Sequence, residues 1–328
     1  MGNNQLFVVL ILFAAMTVVA QKVPPVAIDD VYNIGFQTPR VVNGLNGVLF
    51  NDTDANAGTT LQVRTTPLSG PGSGSLSLLA NGGLTYTPNN GFVGTDSFTY
   101  QVCDDGSPNN IVSRFDFDDP DLTLATVGPN ATSINPSAAQ TGCGTYFPSG
   151  SGGSTGFDIN IPNTGGIFDF TSFTVSFEYE DQESTADIIT GGNLRVYHIS
   201  GNNIGLRVDV INGTTGLPDS FTINLGSFVS GSVPYVINYD EITGNVTFSA
   251  NGATTVFPLA PEYSPLNTGL ATDVLLGKFM DGSGSARPSL CSMEFIDNSH
   301  LCDSAIVTLN VAATVITNRG ITYRIKAN

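Results

Sequence analysis

Tyr100-Gln-Val-Cys103-Asp-Asp-Gly-Ser-Pro-Asn109 and Leu301-Cys302-Asp-Ser-Ala-Ile-Val-Thr-Leu-Asn-Val311 read as the two halves of one β-hairpin, although the whole of 111–300 stands between them. The first half is a strand that runs into an Asp-Gly-Ser-Pro turn. The second alternates Ala305, Val307, Leu309 and Val311 with polar residues, the period-two pattern of a strand with one buried face. This spacing predicts a domain inserted into the last hairpin of another domain, with Cys103 and Cys302 stapling the base.

Upstream of that hairpin, 24–110 divides into short alternating segments bounded by Gly, Asn or Pro. They are Pro24-Pro-Val-Ala-Ile-Asp-Asp30, Val48-Leu-Phe-Asn-Asp-Thr-Asp54, Leu61-Gln-Val-Arg64, Gly74-Ser-Leu-Ser-Leu78, Gly83-Leu-Thr-Tyr-Thr-Pro88 and Gly91-Phe-Val-Gly-Thr-Asp-Ser-Phe-Thr-Tyr100. Each is expected to be a strand, with turns at roughly the 8–12-residue spacing of a Greek-key sandwich. The blocks resemble the bacterial Ig-like and cadherin-like repeats of large surface proteins, whose pattern runs P-x-A-x-D-D, N-D-x-D, G-x-L-x-Y-T-P and F-x-G-x-D-x-F-x-Y-x-V. The resemblance covers 24–110 and 301–311. It implies an Ig-like Greek-key domain over 21–110 plus 301–311, in which the Val-Cys-Asp and Leu-Cys-Asp strands ordinarily follow one another without interruption.

The segment 111–300 also alternates with period two, in Ser172–Tyr179, Leu194–Ile199, Gly205–Ile211, Phe221–Leu225, Val233–Asp240, Asn245–Ala250, Asp273–Gly277 and Leu290–Ile296, and offers no helical face. Strands at this density predict a two-sheet jelly roll. Tyr239-Asp-Glu-Ile-Thr-Gly-Asn-Val-Thr-Phe-Ser-Ala-Asn-Gly252, following Phe173-Thr-Val-Ser-Phe177, resembles the laminin-G or concanavalin A-like lectin/glucanase fold. The fold class is therefore all-β throughout.

Glu178-Tyr-Glu-Asp-Gln-Glu183 has a superficial likeness to the paired-carboxylate strand of glucanases on that fold. Its middle position is Glu180 rather than Asp, and the chain has no Trp to line a sugar cleft. A solvated strand end is the expectation, and a hydrolase is only a distant alternative. His198 and His300 are the only histidines, and neither has a metal-ligand partner at suitable spacing.

Eleven basic residues against 28 acidic give a net charge of −17, which repels nucleic acid and anionic membranes. Leu6–Ala15 is an apolar run too short to span a bilayer. It leads to Thr17-Val-Val-Ala20, so 1–20 is expected to be a signal peptide, although its n-region lacks Lys and Arg. No second span or anchor is expected, which predicts a secreted, extracellular or surface protein. The four cysteines of an exported chain allow three pairings. Nesting selects Cys103 with Cys302 and Cys143 with Cys291, against the alternative of four unpaired thiols.

Asp29, Asp30, Asn51, Asp52, Asp54 and Asp104 fall in loops at strand ends and are candidate calcium ligands, an expectation the cadherin-like resemblance strengthens. Asx-turns that need no metal are the competing reading. Asn51, Asn130, Asn212 and Asn245 begin Asn-x-Thr sequons, which become glycan acceptors only if the cell that exports the chain glycosylates them. Beyond Val311, 312–328 ends in Ile321-Thr-Tyr-Arg-Ile-Lys326. Ile321, Tyr323 and Ile325 alternate with Thr322, Arg324 and Lys326, an amphipathic strand that is basic where the body is acidic. Such a strand can return to its own sheet or add to a neighbouring subunit, head to tail. The resulting expectation is a non-catalytic structural or adhesive protein that self-assembles into an extracellular filament. The rival expectation is a glycan-binding module, with calcium assisting.

Overall fold

The computed structural model describes residues 22–136, 138–141, 144–146, 158–180, 187–199, 202–278, 289–313, 315–318 and 321–324. The expected leader 1–20 lies outside them. Among the described residues no helix is long and apolar enough to cross a membrane. The fold is all-β, and among the described residues it has two three-residue 3-10 turns, Gly44–Asn46 and Thr268–Leu270.

The first six strands are β1 (Asp30–Ile34), β2 (Arg40–Val42), β3 (Gln62–Val63), β4 (Gly74–Leu78), β5 (Leu84–Pro88) and β6 (Gly94–Cys103). Next come β7 (Asn110–Phe115), β8 (Ala139–Thr141), β9 (Gly144–Tyr146), β10 (Ile159–Ile161), β11 (Phe173–Glu180), β12 (Asp187–Thr190) and β13 (Leu194–Ile199). They are followed by β14 (Asn203–Ile211), β15 (Pro218–Ser227), β16 (Ser232–Asp240), β17 (Asn245–Ala250), β18 (Ala253–Pro258), β19 (Val274–Lys278) and β20 (Ser289–Asp297). The chain closes with β21 (Cys302–Val311), β22 (Val315–Asn318) and β23 (Ile321–Arg324).

The divided hairpin forms as one ladder. β6 and β21 pair antiparallel without a break from Cys103↔Cys302 to Gly94↔Val311. Their inward positions Phe98, Tyr100, Val102, Val307 and Leu309 are buried, as the alternation requires. The sheet order is β1-β21-β6-β3, and a second sheet, β2-β5-β4, covers the same core. β1 runs parallel to β21, from Asp30↔Val307 to Ile34↔Val311.

Two expected strands are corrected. Pro24–Asp30 and Val48–Asp54 meet only through the bridge Val26↔Thr53. The consecutive prolines lack N–H donors, and Asp52 and Asp54 turn their carboxylates onto the backbone N–H groups of Ile28 and Asn56.

The intervening residues build a second, larger sandwich. One sheet has the order β10-β19-β12-β13-β14-β15. The other runs β18-β17-β16-β11-β20-β9-β8, with β7 also on β20. Phe173, Val175, Phe177 and Tyr179 of β11 lie beside Tyr235, Ile237 and Tyr239 of β16 and Met293 and Phe295 of β20 on the inner face of this second sheet, all buried. Each such side chain contributes about 1.5–3 kcal/mol on burial. β22 and β23 pair with each other and, among the described residues, with no other sheet.

Candidate functional site

Where the two cores meet, the ends of β6, β16, β20 and β21 bring ionisable side chains together. His300, one residue upstream of the Leu301-Cys302 step, is largely buried. Its Nδ1–H donates to the Asp104 carbonyl at 2.7 Å, and its Nε2 stands 3.5 Å from Asp240 Oδ1. Its backbone N–H donates to Glu241 Oε1 at 3.0 Å, and the same oxygen accepts from Thr171 Oγ1 at 2.7 Å. Asp104 is fully buried, and its Oδ1 accepts from the N–H groups of Gly106 and Leu301. Lys22 Nζ donates to the carbonyls of Asp297 and Ser299 at 2.9 and 3.0 Å. Gly106 is required in this turn, because its φ is +79° and a Cβ there would lie 2.4 Å from the Asn298 carbonyl oxygen.

Burial raises the Asp104 and Glu241 carboxyls above their ordinary range, and the hydrogen bonds they accept offset this only in part. For His300 burial acts downward, but the Asp240 carboxylate, the Asp104 carbonyl and Glu241 outweigh it and raise the imidazole. Burial would likewise raise Asp240, yet His300, Thr243 and the Ile242 N–H hold it low. Burial lowers the Lys22 ammonium against the pull of Asp297. For Asp104, Glu241 and His300 the folded value lies above the unfolded one. Their contribution is complete below the unfolded values and is lost as pH rises through the folded ones. Stability is therefore expected to fall between about pH 5 and pH 8, and His300→Gln is expected to flatten that slope. Urea melts of both proteins at the two pH values check this; equal slopes would contradict it.

Beside His300 lies a cavity of about 290 Å³, walled by Asn109, Ser172, Asn238, Asp240 and Asn298 among others. Its lining offers amides, hydroxyls and carboxylates. Glu241 Oε1 accepts two hydrogen bonds and Asp240 Oδ1 faces His300, while Asp104 Oδ2 has no partner. These bonds tie the Asp104 turn after β6 to the end of β16, and a polar cleft lies beside them. A second contact across the junction stacks the Arg64 guanidinium 4.4 Å over the Tyr263 ring.

The structure distributes the expected calcium ligands. Asp52 is held by Tyr100 Oη at 2.9 Å and by the Ile28 N–H at 2.8 Å, and Asp29 Oδ1 accepts from the Ile306 N–H. Asn51 donates to the Ile28 and Asp29 carbonyls, and Asp104 belongs to the His300 cluster. Asp30 Oδ2, Asn51 Oδ1, Asp54 Oδ2 and Asp104 Oδ2 are buried without partners. Among the described residues, however, no three His, Cys, Asp or Glu groups are placed to share a metal. Asp104 is held at the His300 cluster, whereas Asp29, Asp30, Asn51, Asp52 and Asp54 lie around the start of β1 and the 51–54 turn.

Burial, then Asp52 and Asp29, push the Asp30 carboxyl up to about 7, so a proton can meet its orphaned oxygen. Because that value lies above the unfolded one, ionised Asp30 destabilises the fold as pH rises through 7. Asp30→Asn is expected to gain on the order of 2 kcal/mol at pH 8, discounted for solvent screening. Denaturant melts at pH 8, with calcium and with chelator, test it. A loss of stability in Asp30→Asn together with calcium stabilisation of the parent would mean a cation sits there instead.

Cys103 and Cys302 are bonded, with Cα atoms 4.1 Å apart. Cys291 is also disulfide-bonded, while Cys143 lies outside the described residues. The Asn212 side chain is buried. Its Nδ2 donates to Asp219, and its Oδ1 accepts from the N–H groups of Thr214 and Thr215, so this sequon nitrogen is not presented to solvent. Asn51 and Asn245 are half-buried, and Asn130 is exposed. Glu178 lies within β11 and accepts from Ser232 Oγ, Glu180 is the last residue of that strand, and 181–183 lie outside the described residues. His198 stacks on Phe228 with ring centroids 4.2 Å apart, as a core residue. Ile321, Tyr323 and Arg324 belong to β23, and Ile325 and Lys326 lie outside the described residues.

The bacterial cadherin-like domain family model matches residues 22–113, and no curated protein matches the chain. The match ends before β21, the strand that completes the same sheet. Among solved structures, the chain is similar to the CBM40 of Ruminococcus gnavus IT-sialidase bound to α2,3-sialyllactose. That likeness has 11% identity and a TM-score of 0.31, and covers 45% of this chain and 91% of that one. A Trypanosoma rangeli sialidase gives 10% identity and a TM-score of 0.35 over 58% of this chain and 31% of that one. The catalytic domain of an endo-1,3-β-glucanase (laminarinase) from Thermotoga petrophila RKU-1 gives 10% and 0.26 over 57% and 97%.

Proposed function

We propose that the chain is a secreted, non-catalytic adhesive subunit that associates with further copies of itself through the β22–β23 hairpin. The observation that carries this reading is that β21 already completes the first sandwich, while the hairpin after it pairs with neither domain among the described residues. A lone two-stranded hairpin is marginally stable in water and gains by joining a sheet. Basic residues in 319–326 suit an acidic partner surface, and the body of this chain is one. The cadherin-like match over 22–113 fits a bead of a surface assembly. The inserted sandwich is read as concanavalin A-like, a spacer rather than an enzyme. Light-scattering mass against concentration tests the proposal: the intact chain is expected to grow with concentration, and a chain ending at 313 to stay monomeric. Equal masses would overturn it.

A second reading is favoured by the cavity at the junction. Its amide and carboxylate lining suits the hydroxyls of a neutral sugar, so the module would bind glycan there. A glycan array on the truncated chain separates the two: saturable binding that survives truncation and is lost in Asn298→Ala supports the lectin reading.

A further inference from the structure

We infer that the outer edge of β18 is the acceptor onto which the hairpin of a second copy adds as a further strand. This rests on the assembly reading above and deepens it by naming the receiving surface.

Sheet edges offer unpaired N–H and C=O groups, and folded proteins ordinarily guard them with charge, proline, bulges or shortness. Most edges here are guarded. β3, β8 and β10 have two or three residues, and β2 has three and carries Arg40. β1 carries Asp30. β15 begins Pro218-Asp219, and its register against β14 shifts between Ile204 and Gly205. β4 is Gly-Ser-Leu-Ser-Leu, a weak strand former.

β18 differs from all of them. It is Ala253-Thr-Thr-Val-Phe-Pro258, rich in β-branched residues, uncharged, and proline-free until its last position. It pairs with β17 through six consecutive positions without a shift, from Ala250↔Ala253 to Asn245↔Pro258. No described strand covers its other side. Val256 is 58% exposed, and only Phe257 packs against the core, so most of the strand projects beyond the sandwich. β17 carries no charge either.

The occupant is a second copy of this chain. The alternating run Ile321–Lys326 is as long as β18, and its Arg324 and Lys326 meet a molecule of net charge −17. Donor hairpin and acceptor edge are different parts of the chain, so the contact is heterologous and propagates unless it closes into a ring.

The test compares four full-length or truncated proteins, each from residue 21, by light scattering and sedimentation: the parent, the chain ending at 313, Val256→Lys and Val256→Thr. Val256 is exposed, so neither substitution should unfold the sandwich, and circular dichroism melts confirm that. The inference expects Val256→Lys to weaken association at least tenfold and Val256→Thr to leave it unchanged. If the parent assembles, truncation abolishes assembly and Val256→Lys assembles like the parent, β18 is not the acceptor and the hairpin reading survives. If the parent is monomeric at every concentration, both fail together.

Discussion

Replacing Cys103 and Cys302 together with alanine is expected to lower the thermal midpoint of the first domain by at least roughly 12 °C. The bond joins positions 199 residues apart, and closing so long a loop in the unfolded chain removes entropy equivalent to about 3–5 kcal/mol of stability. The location sharpens the effect. Cys103↔Cys302 is the last rung of the β6–β21 ladder, and β3 pairs at the same place through Gln62↔Cys103. Without the bond, β21 is held to β6 by the ladder alone, and β1 is held in turn by its parallel pairing with β21. Calorimetry measures the shift; a change under about 2 °C would mean the ladder closes the domain unaided.

Asp96→Ala is expected to cost about 3 kcal/mol. Asp96 is buried and accepts from Tyr86 Oη at 2.8 Å, from the Ser73 N–H at 2.8 Å and from the N–H groups of Gly72 and Ser97 at 2.9 Å. Removing the carboxylate strands a fully buried tyrosine hydroxyl and the turn that enters β4, and each unsatisfied group costs about 1–3 kcal/mol. Tyr86→Phe removes one partner only and is expected to cost about 1 kcal/mol. Burial alone would raise Asp96, but these four bonds hold it below the usual carboxylate range. Its contribution is thus present above the unfolded value and lost as pH falls through the lower folded one. Urea melts at pH 7 and near pH 3 give both quantities. An Asp96→Ala protein as stable as the parent at pH 7 would contradict the account.

The strands that carry clear alternation were legible from the sequence, including the closing pair separated by the insertion. There the two cysteines and the Val307-Leu309-Val311 face mark both halves. The parallel partnership of β1 with β21 was not legible, because register between strands so distant in sequence leaves no local trace. Val48–Asp54 has strand-like composition, but Asp52 anchors to Tyr100 and Ile28 instead of entering a ladder. The His300 cluster was missed for a related reason. Asp104 and the adjacent Asp240-Glu241 pair are far apart in the chain, and only the insertion of one domain between the halves of another brings them to one histidine. The Tyr239-Asp-Glu run at the end of β16, and a lone histidine beside Cys302, were the signals available. The acidic motif residues Asp52 and Asp96 receive tyrosine hydroxyls, partners that left no sign in the sequence.

The association reading places donor and acceptor on one chain, so copies lacking the hairpin should bind a growing end and stop it. The most direct measurement is negative-stain electron microscopy of the intact chain from residue 21, alone and with increasing amounts of the chain ending at 313. The account predicts rods whose mean length shortens as the truncated chain is added. Single particles in every mixture, with or without calcium, would contradict it.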